Sequence, residues 1–318
     1  VRVLYFTTPP DVDQRGAGFD CIFANRVDIG AFELQALVVN STGDTDDGDI
    51  SNGTTTLREA INFFNNLAGP DTIRFDPTVV GTQQTINLGT QLPTITDAVT
   101  ITRPGADLLT LDAGGGADGT IGNGDGYRIF NINDGTGADI DVDISGLTLT
   151  GGDPNLSDVN AHGGAILNRE NLTLTASTIC ENSASRGGRI SNDGTATMTG
   201  TKISGKATTK RGGGIVTLVM VSIINITTSC ISAGEDGCCI FNFVFDITIT
   251  SSTISGNSAT DQGGGIYNRD QATITSSTIS GNTAGMGGGG MYQIVGSITI
   301  NNSIVANSTG GDISSFAG

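Results

Sequence analysis

Two acidic runs carry the side chains best able to do chemistry. In Asp139-Ile140-Asp141-Val142-Asp143 the period-two spacing sets three carboxylates on one face of a strand. There they could hold a cation, or act as general acid and base on an acidic polysaccharide with Arg103 or Arg128 one or two turns away. The plain alternative is a solvated outer face on an acidic protein. Asp44-Thr45-Asp46-Asp47-Gly48-Asp49 has part of the spacing of a calcium loop and offers Asp44, Asp46, Asp47 and Asp49 as Ca2+ ligands. Gly48 falls at the third ligand place, so the EF-hand order fails, and a polar turn is the alternative. His162, the one histidine, is near Ser157 and Asp158 in sequence. A triad needs a positioned third group that this loop does not supply, so a surface histidine beside a Gly corner is the simpler reading.

Hydroxyls and thiols offer two further chemistries. The pairs Thr173/Thr175, Thr197/Thr199, Thr248/Thr250 and Thr273/Thr275 alternate with apolar residues and should stack into a flat outward grid. Such a grid could bind an ice lattice, but Thr also favours exposed strand positions for its branched Cβ. Asn225 and Asn301 are expected to interrupt it, with Lys202 nearby. The five cysteines, Cys21, Cys180, Cys230, Cys238 and Cys239, are odd in number and contain no Cys-x-x-Cys. That argues against a zinc site and against a complete disulfide framework. Cys238 and Cys239 could form a strained vicinal bridge, but small buried thiols fit better. No cofactor is implied beyond the calcium considered above.

The elements that must position these groups come from a repeat. Gly clusters followed by an apolar residue end at Ile166, Ile190, Ile215, Ile240, Ile266 and Met291, in steps of 24, 25, 25, 26 and 25 residues. A second column, Ile179, Ile203, Ile231, Ile254, Ile279 and Ile304, advances by the same total. Within each unit apolar and hydroxylated residues alternate, as in Ile247-Thr248-Ile249-Thr250. A second short strand such as Ser252-Thr253-Ile254-Ser255 leads to a Gly-Asn corner, and a third follows the Gly cluster. Three short strands and three corners in about 25 residues make one turn of a parallel β-helix. The fold expected is therefore all-β, a solenoid, right-handed by crossover chirality, with stacked aliphatic side chains filling the bore. Asn182, Asn257, Asn282 and Asn307 are read as one corner column, interrupted at Lys206. Val216 to Phe245 is the least regular stretch and should pack most loosely.

Composition agrees and excludes other classes. The 318 residues include 48 Gly and no Trp, with 15 Lys and Arg against 32 Asp and Glu, a net charge of -17. Nucleic acid and anionic lipid surfaces would be repelled. Collagen fails because Gly has no three-residue period, and the apolar run from Ile215 to Ile226 is too short to insert into a membrane. The repeats hold few aromatic residues for stacking sugar rings and no basic cluster for uronates.

A solenoid exposes strand edges at its ends and needs caps. Thr56 and Glu59 form a capping box at the start of a helix with an apolar stripe at Leu57, Ala60, Ile61, Phe64 and Leu67, ended by Gly69-Pro70. This single capping α-helix should plug the N-terminal opening. The organisation expected is residues 1–36 as a strand-bearing segment, 37–70 as cap strand and helix, and 71–318 as the solenoid. The C-terminal turn, Ile298-Thr299-Ile300 and Ser303-Ile304-Val305, has no cap helix after it. The chain begins at Val1 with no Met and no leader, which suggests a processed product or fragment.

Thr55-Thr56-Leu57-Arg58-Glu59-Ala60-Ile61 resembles the Cys-Ser-Leu-Arg-Glu-Ala motif that opens parallel β-helix repeats in large bacterial surface proteins. Asp28-Ile29-Gly30-Ala31-Phe32-Glu33 is similar to the closing motif of the same repeats, of the choice-of-anchor Q type, and the Ser-Thr-Ile-Ser-Gly-Asn and Gly-Gly-Gly-Ile-Tyr-Asn units are common in them. The resemblance implies a secreted or cell-surface bacterial protein of adhesive or structural type. The capped N-terminal end, the uncapped C-terminal turn and the strand-bearing segment ahead of the cap suggest as partner a second copy joined head to tail, with residues 1–36 over the open C-terminal turns; another surface protein or a glycan are the alternatives. Thr55 stands where the family has Cys, so the cap disulfide is not implied, and the closing motif precedes the opening one.

Overall fold

The fold was taken from a computed structural model, which describes residues 22–23, 26–27, 35–67, 69–102, 105–155, 162–205 and 211–316. It is a parallel β-solenoid of about nine turns with roughly 26 residues in each. Ten strands, from Gln35–Val39 to Ile298–Asn301, form the first long sheet; nine, from Gln84–Asn87 to Ile304–Ala306, form the second; and eight, from Phe130–Ile132 to Ile313–Ser315, form the third. All three are parallel, each strand pairing with its equivalent one turn away. A small three-stranded sheet, Ser232–Ala233, Ser258–Ala259 and Thr283–Ala284, closes one corner.

The Gly-cluster column is in register: Ile166, Ile190, Ile215, Ile240, Ile266 and Met291 lie opposite one another on consecutive rungs. The second column needs correction. Ile203 pairs with Thr228, Thr228 with Ile254, and Ile279 with Val305. Ile231 instead stands in the Asn corner, where its N–H donates to Asn257 Oδ1 at 3.2 Å, and Ile304 faces Thr278 on the outside. The step of 28 followed by one of 23 marks the slip at Ile231, and the last step of 25 falls one short of the 26 that the register requires. The Asn column slips too: Ala306 pairs with Ser280, which puts Asn307 beside Gly281 rather than Asn282. Both sit in the left-handed region, with φ of +59° and +62°, where Gly is easiest and Asn is tolerated. Asn257 Nδ2 does donate to Asn282 Oδ1 at 2.9 Å, as an axial amide stack requires.

The bore is lined by inward Ile, Leu and Val from all three sheets, continuous from Leu37 to Met291. Each fully buried aliphatic side chain contributes about 1.5–3 kcal/mol by leaving water. Helix α1 (Leu57–Phe64) packs its Leu57, Ala60, Ile61 and Phe64 into the N-terminal end of this core. Thr56 accepts from Glu59 N, and Glu59 accepts from Thr56 N at 2.8 Å, so the capping box is complete. A second helix, α2 (Pro77–Val80), of one turn, was not expected. The boundary read at residue 36 falls inside the strand Gln35–Val39, which pairs with Asp71–Phe75 and begins the first sheet. Cap and solenoid therefore share one sheet. Most of residues 1–36, including the motif at 28–33, lie outside the described residues.

A candidate ligand-binding corner

Asp141 and Asp143 are exposed on the strand Asp141–Ser145, two residues apart on one face, and Asp139 is exposed just before it. Stacking sets Asp143 between Thr100 and Thr173, and Asn171 Nδ2 donates to Asp141 at 3.1 Å. Arg128 is not beside them, since it is buried next to Phe130 in the third sheet, and Arg103 lies outside the described residues. The carboxylates of the second run each have local partners. Asp44 Oδ2 pairs with Arg58 at 2.7 Å and accepts from Gly89 N at 2.8 Å. Asp46 accepts from Gly48 N and Asn62 Nδ2, Asp47 from Asp49 N and Asn52 Nδ2, and Asp49 from Ser51 N and Oγ. Glu59 Oε1 accepts from Asp47 N at 3.1 Å, so the loop wraps the helix start. Among the described residues no group of three or more His, Cys, Asp or Glu is arranged to hold a metal.

The Thr grid has the register expected. Thr173, Thr197, Ser222, Thr248 and Thr273 form one outward column, and Thr175, Thr199, Ile224, Thr250 and Thr275 the next. The interruption on the middle rung is Ser222 and Ile224, not Asn225, while Asn301 does end the second column. Cys180, Cys230, Cys238 and Cys239 are free thiols, so there is no vicinal bridge; Cys21 lies outside the described residues. Burial pushes Cys239 up to about 12 and raises Cys238 further, which keeps both protonated and unreactive. His162 is half-buried and its pKa is lowered by that burial, while Ser157 and Asp158 lie outside the described residues.

The third sheet holds features that the linear reading passed over. Its outer face carries a column of Val216, Phe241, Tyr267 and Tyr292, one per rung. Phe241 and Tyr267 stack with centroids 4.7 Å apart and planes 7° from parallel, and Tyr267 and Tyr292 follow at 5.7 Å. Glycines give the rings room: a Cβ on Gly237 would lie 2.8 Å from the Phe241 ring. Three of the few aromatic residues of the repeats thus form one stack. Beneath it runs a buried amide column. Asn168 Nδ2 donates to Asn192 Oδ1 at 2.7 Å, Asn242 to Asn268 at 2.6 Å, and Asn268 to Gln293 Oε1 at 2.8 Å. The Ile-x-Asn ending of the units at Asn168, Asn192, Asn242 and Asn268 is the signal available in the sequence.

The ring stack stops at Phe241, because the next rung has Val216. A cleft of about 80 Å³ opens there, lined by Val216, Leu218, Phe241 and Phe243 with Arg186 and Arg211 at its edge. The Arg211 guanidinium is 5.9 Å from the Phe241 centroid and 3.1 Å from Glu235, and Arg269 stacks over Phe243 at 4.5 Å. His162, Arg186 and Arg211 are stacked neighbours, and Arg128 and Arg169 lie within electrostatic reach of His162, with Asp193 as the opposing charge. A basic cluster therefore exists; its members are too far apart in sequence to be seen without the rung register. Past Leu218 and Phe243 the wall continues into an exposed apolar corner, with Met220 57%, Val244 43% and Phe245 47% accessible. On the flanking rungs the same corner is polar, at Asp193 and at Asp270, and it is apolar again at Val295 two rungs on. Each corner carbonyl, from Glu170, Phe245, Asp270 or Val295, accepts from the amide column.

Arg189 is a second departure from the repeat. It replaces the small residue found at Ala165, Gly214 and Gly265, and its guanidinium is fully buried in the bore. Its N–H groups donate to Ser204 O at 3.0 and 2.8 Å and to Gly213 O at 2.7 Å. Burial lowers its pKa to about 10, and the nearby Glu181 carboxylate opposes that shift.

No family model, curated protein or solved structure matches the chain.

Proposed function

We propose that this chain is a non-enzymatic structural and adhesive module of the bacterial cell exterior, a stiff rod that binds a partner at one corner. The observation that carries the reading is the apolar corner formed by Met220, Val244 and Phe245 beside an arginine-edged cleft, on rungs whose neighbours are polar there. Scattered single apolar residues need no explanation, but a contiguous exposed group around a cleft marks an interaction surface. The motif resemblance at residues 55–61 supports an exterior location. Beads coated with the chain should adhere to a cell or matrix surface that carries the partner, and Met220→Asp with Phe245→Asp should reduce retention at least fivefold. Equal retention of both coatings, or new reducing ends released from acidic polysaccharide by the chain, would overturn the reading.

Head-to-tail association is a second reading, favoured by the last described rung. There Ile304, Ile313 and Phe316 are exposed, and Ile298, Ile300 and Val305 are only partly covered. Open strand edges next to uncovered Ile side chains favour addition of a further rung. Residues 1–36 of a second copy are the occupant proposed.

A further inference from the structure

The corner has a shape and charge that define what it would take, and this deduction rests on the adhesive reading above. Along the third sheet the ring column runs from Phe241 to Tyr292 and passes to Val216 at one end and Ser314 at the other, with Phe243 stacked beside Phe241 at 6.0 Å; the cleft lies at the Val216 end. Val216 leaves that face of Phe241 bordering the cleft, and Leu218 and Phe243 make its side walls. A flat ring entering here would continue the column at the rung spacing of roughly 4.8 Å, the separation at which parallel rings attract. The mouth presents two arginines although the chain as a whole carries -17, and of the two it is Arg186 for which no carboxylate among the described residues is placed at ion-pair distance. Arg186 is exposed at its edge, next to Arg211, with Arg169 and Arg128 behind. The opposing carboxylates are Glu235 and Asp236, both on Arg211, and Asp193, which lies 3.8 Å from Arg169. The exposed ridge of Met220, Val244 and Phe245 extends the apolar surface well beyond one ring, which favours a polypeptide over a small aryl acid.

We infer that this corner binds a partner polypeptide that inserts an aromatic side chain against Phe241 and sets flanking carboxylates on Arg186 and Arg211. Specificity would come from the ring slot and the two guanidinium groups, and affinity from the ridge.

The test uses the full chain and an unlabelled peptide, acetyl-Leu-Asp-Phe-Asp-Leu-amide, with saturation-transfer NMR as readout. Transfer should be strongest at the ring protons. It should fall at least fivefold when Phe in the peptide is replaced by Leu, or when its two Asp are replaced by Lys. Val216→Phe supplies the missing ring from the protein itself. Gly212 faces position 216 as Gly237 faces Phe241, so the variant should fold with unchanged circular dichroism and lose the peptide signal. Arg186→Glu should lose it as well while leaving the cleft open. Binding that persists in Val216→Phe, or equal binding of the Lys peptide, would overturn the inference. If the peptide fails while bead adhesion still depends on Met220 and Phe245, the ligand chemistry assigned here is wrong and the adhesive reading stands. If both fail, both are wrong.

Discussion

Single residues depart from the repeat where the chain does something besides stack. Asp153 is one. It is fully buried, its Oδ2 accepts from Gly122 N and Gly124 N at 2.9 Å each, and Oδ1 has no partner. Burial raises its pKa above the ordinary carboxylate value, and the backbone N–H groups of Gly124, Gly122 and Asn123 oppose the shift less strongly. The folded state therefore holds this proton more tightly than the unfolded chain does. The stabilisation from the protonated form is complete below the unfolded pKa and is lost as pH rises through the folded one. Asp153→Asn keeps an acceptor for Gly122 and Gly124 and has no proton to lose. Its thermal midpoint should gain on the native chain as pH is raised from 4 to 7, and a constant offset across that range would refute the assignment.

At the scale of elements, the cap is held by polar groups that the acidic run at 44–49 only partly announced. Thr56 and Glu59 were readable because a capping box is local, three residues long and specific in type. Arg58 was not, since its partners Asp44, Thr90 and Gln91 are brought to it only by folding, at 2.7–2.9 Å. The Arg58 and Asp44 side chains are both largely buried, so removing one leaves the other without compensation. Thr56→Ala should cost about 1 kcal/mol, whereas Arg58→Leu should cost on the order of 3–5 kcal/mol. Urea unfolding followed by circular dichroism measures both, and the order of the two effects is the test. The buried amide pairs belong to the same scale: Asn168–Asn192 and Asn242–Asn268–Gln293 are separated by Thr217, and each buried bond contributes about 1 kcal/mol net.

For the whole molecule, register is the controlling variable. A slip of one residue turns an inward side chain outward, and the chain carries such features at Ile304 and Asn307, one position away from the columns their spacing suggested. Ile304 therefore adds to an exposed apolar end rather than to the bore. If that end recruits a second copy, sedimentation velocity should show concentration-dependent assemblies that disappear in Ile304→Lys with Ile313→Lys. A monomer at every concentration, or assemblies indifferent to both changes, would remove head-to-tail association.

The solenoid, its period and its cap helix were legible in the linear chain, because alternation of period two, recurring Gly clusters and a capping box are local signals repeated many times. What only the tertiary structure decided is which residues from different rungs meet. Phe241, Tyr267 and Tyr292, or Arg186 and Arg211, are about 25 residues apart and become neighbours at one strand spacing only once the coils have closed. A one-residue insertion in any corner changes that list without disturbing the local pattern, so the corner that could bind a ligand had to be read from the fold.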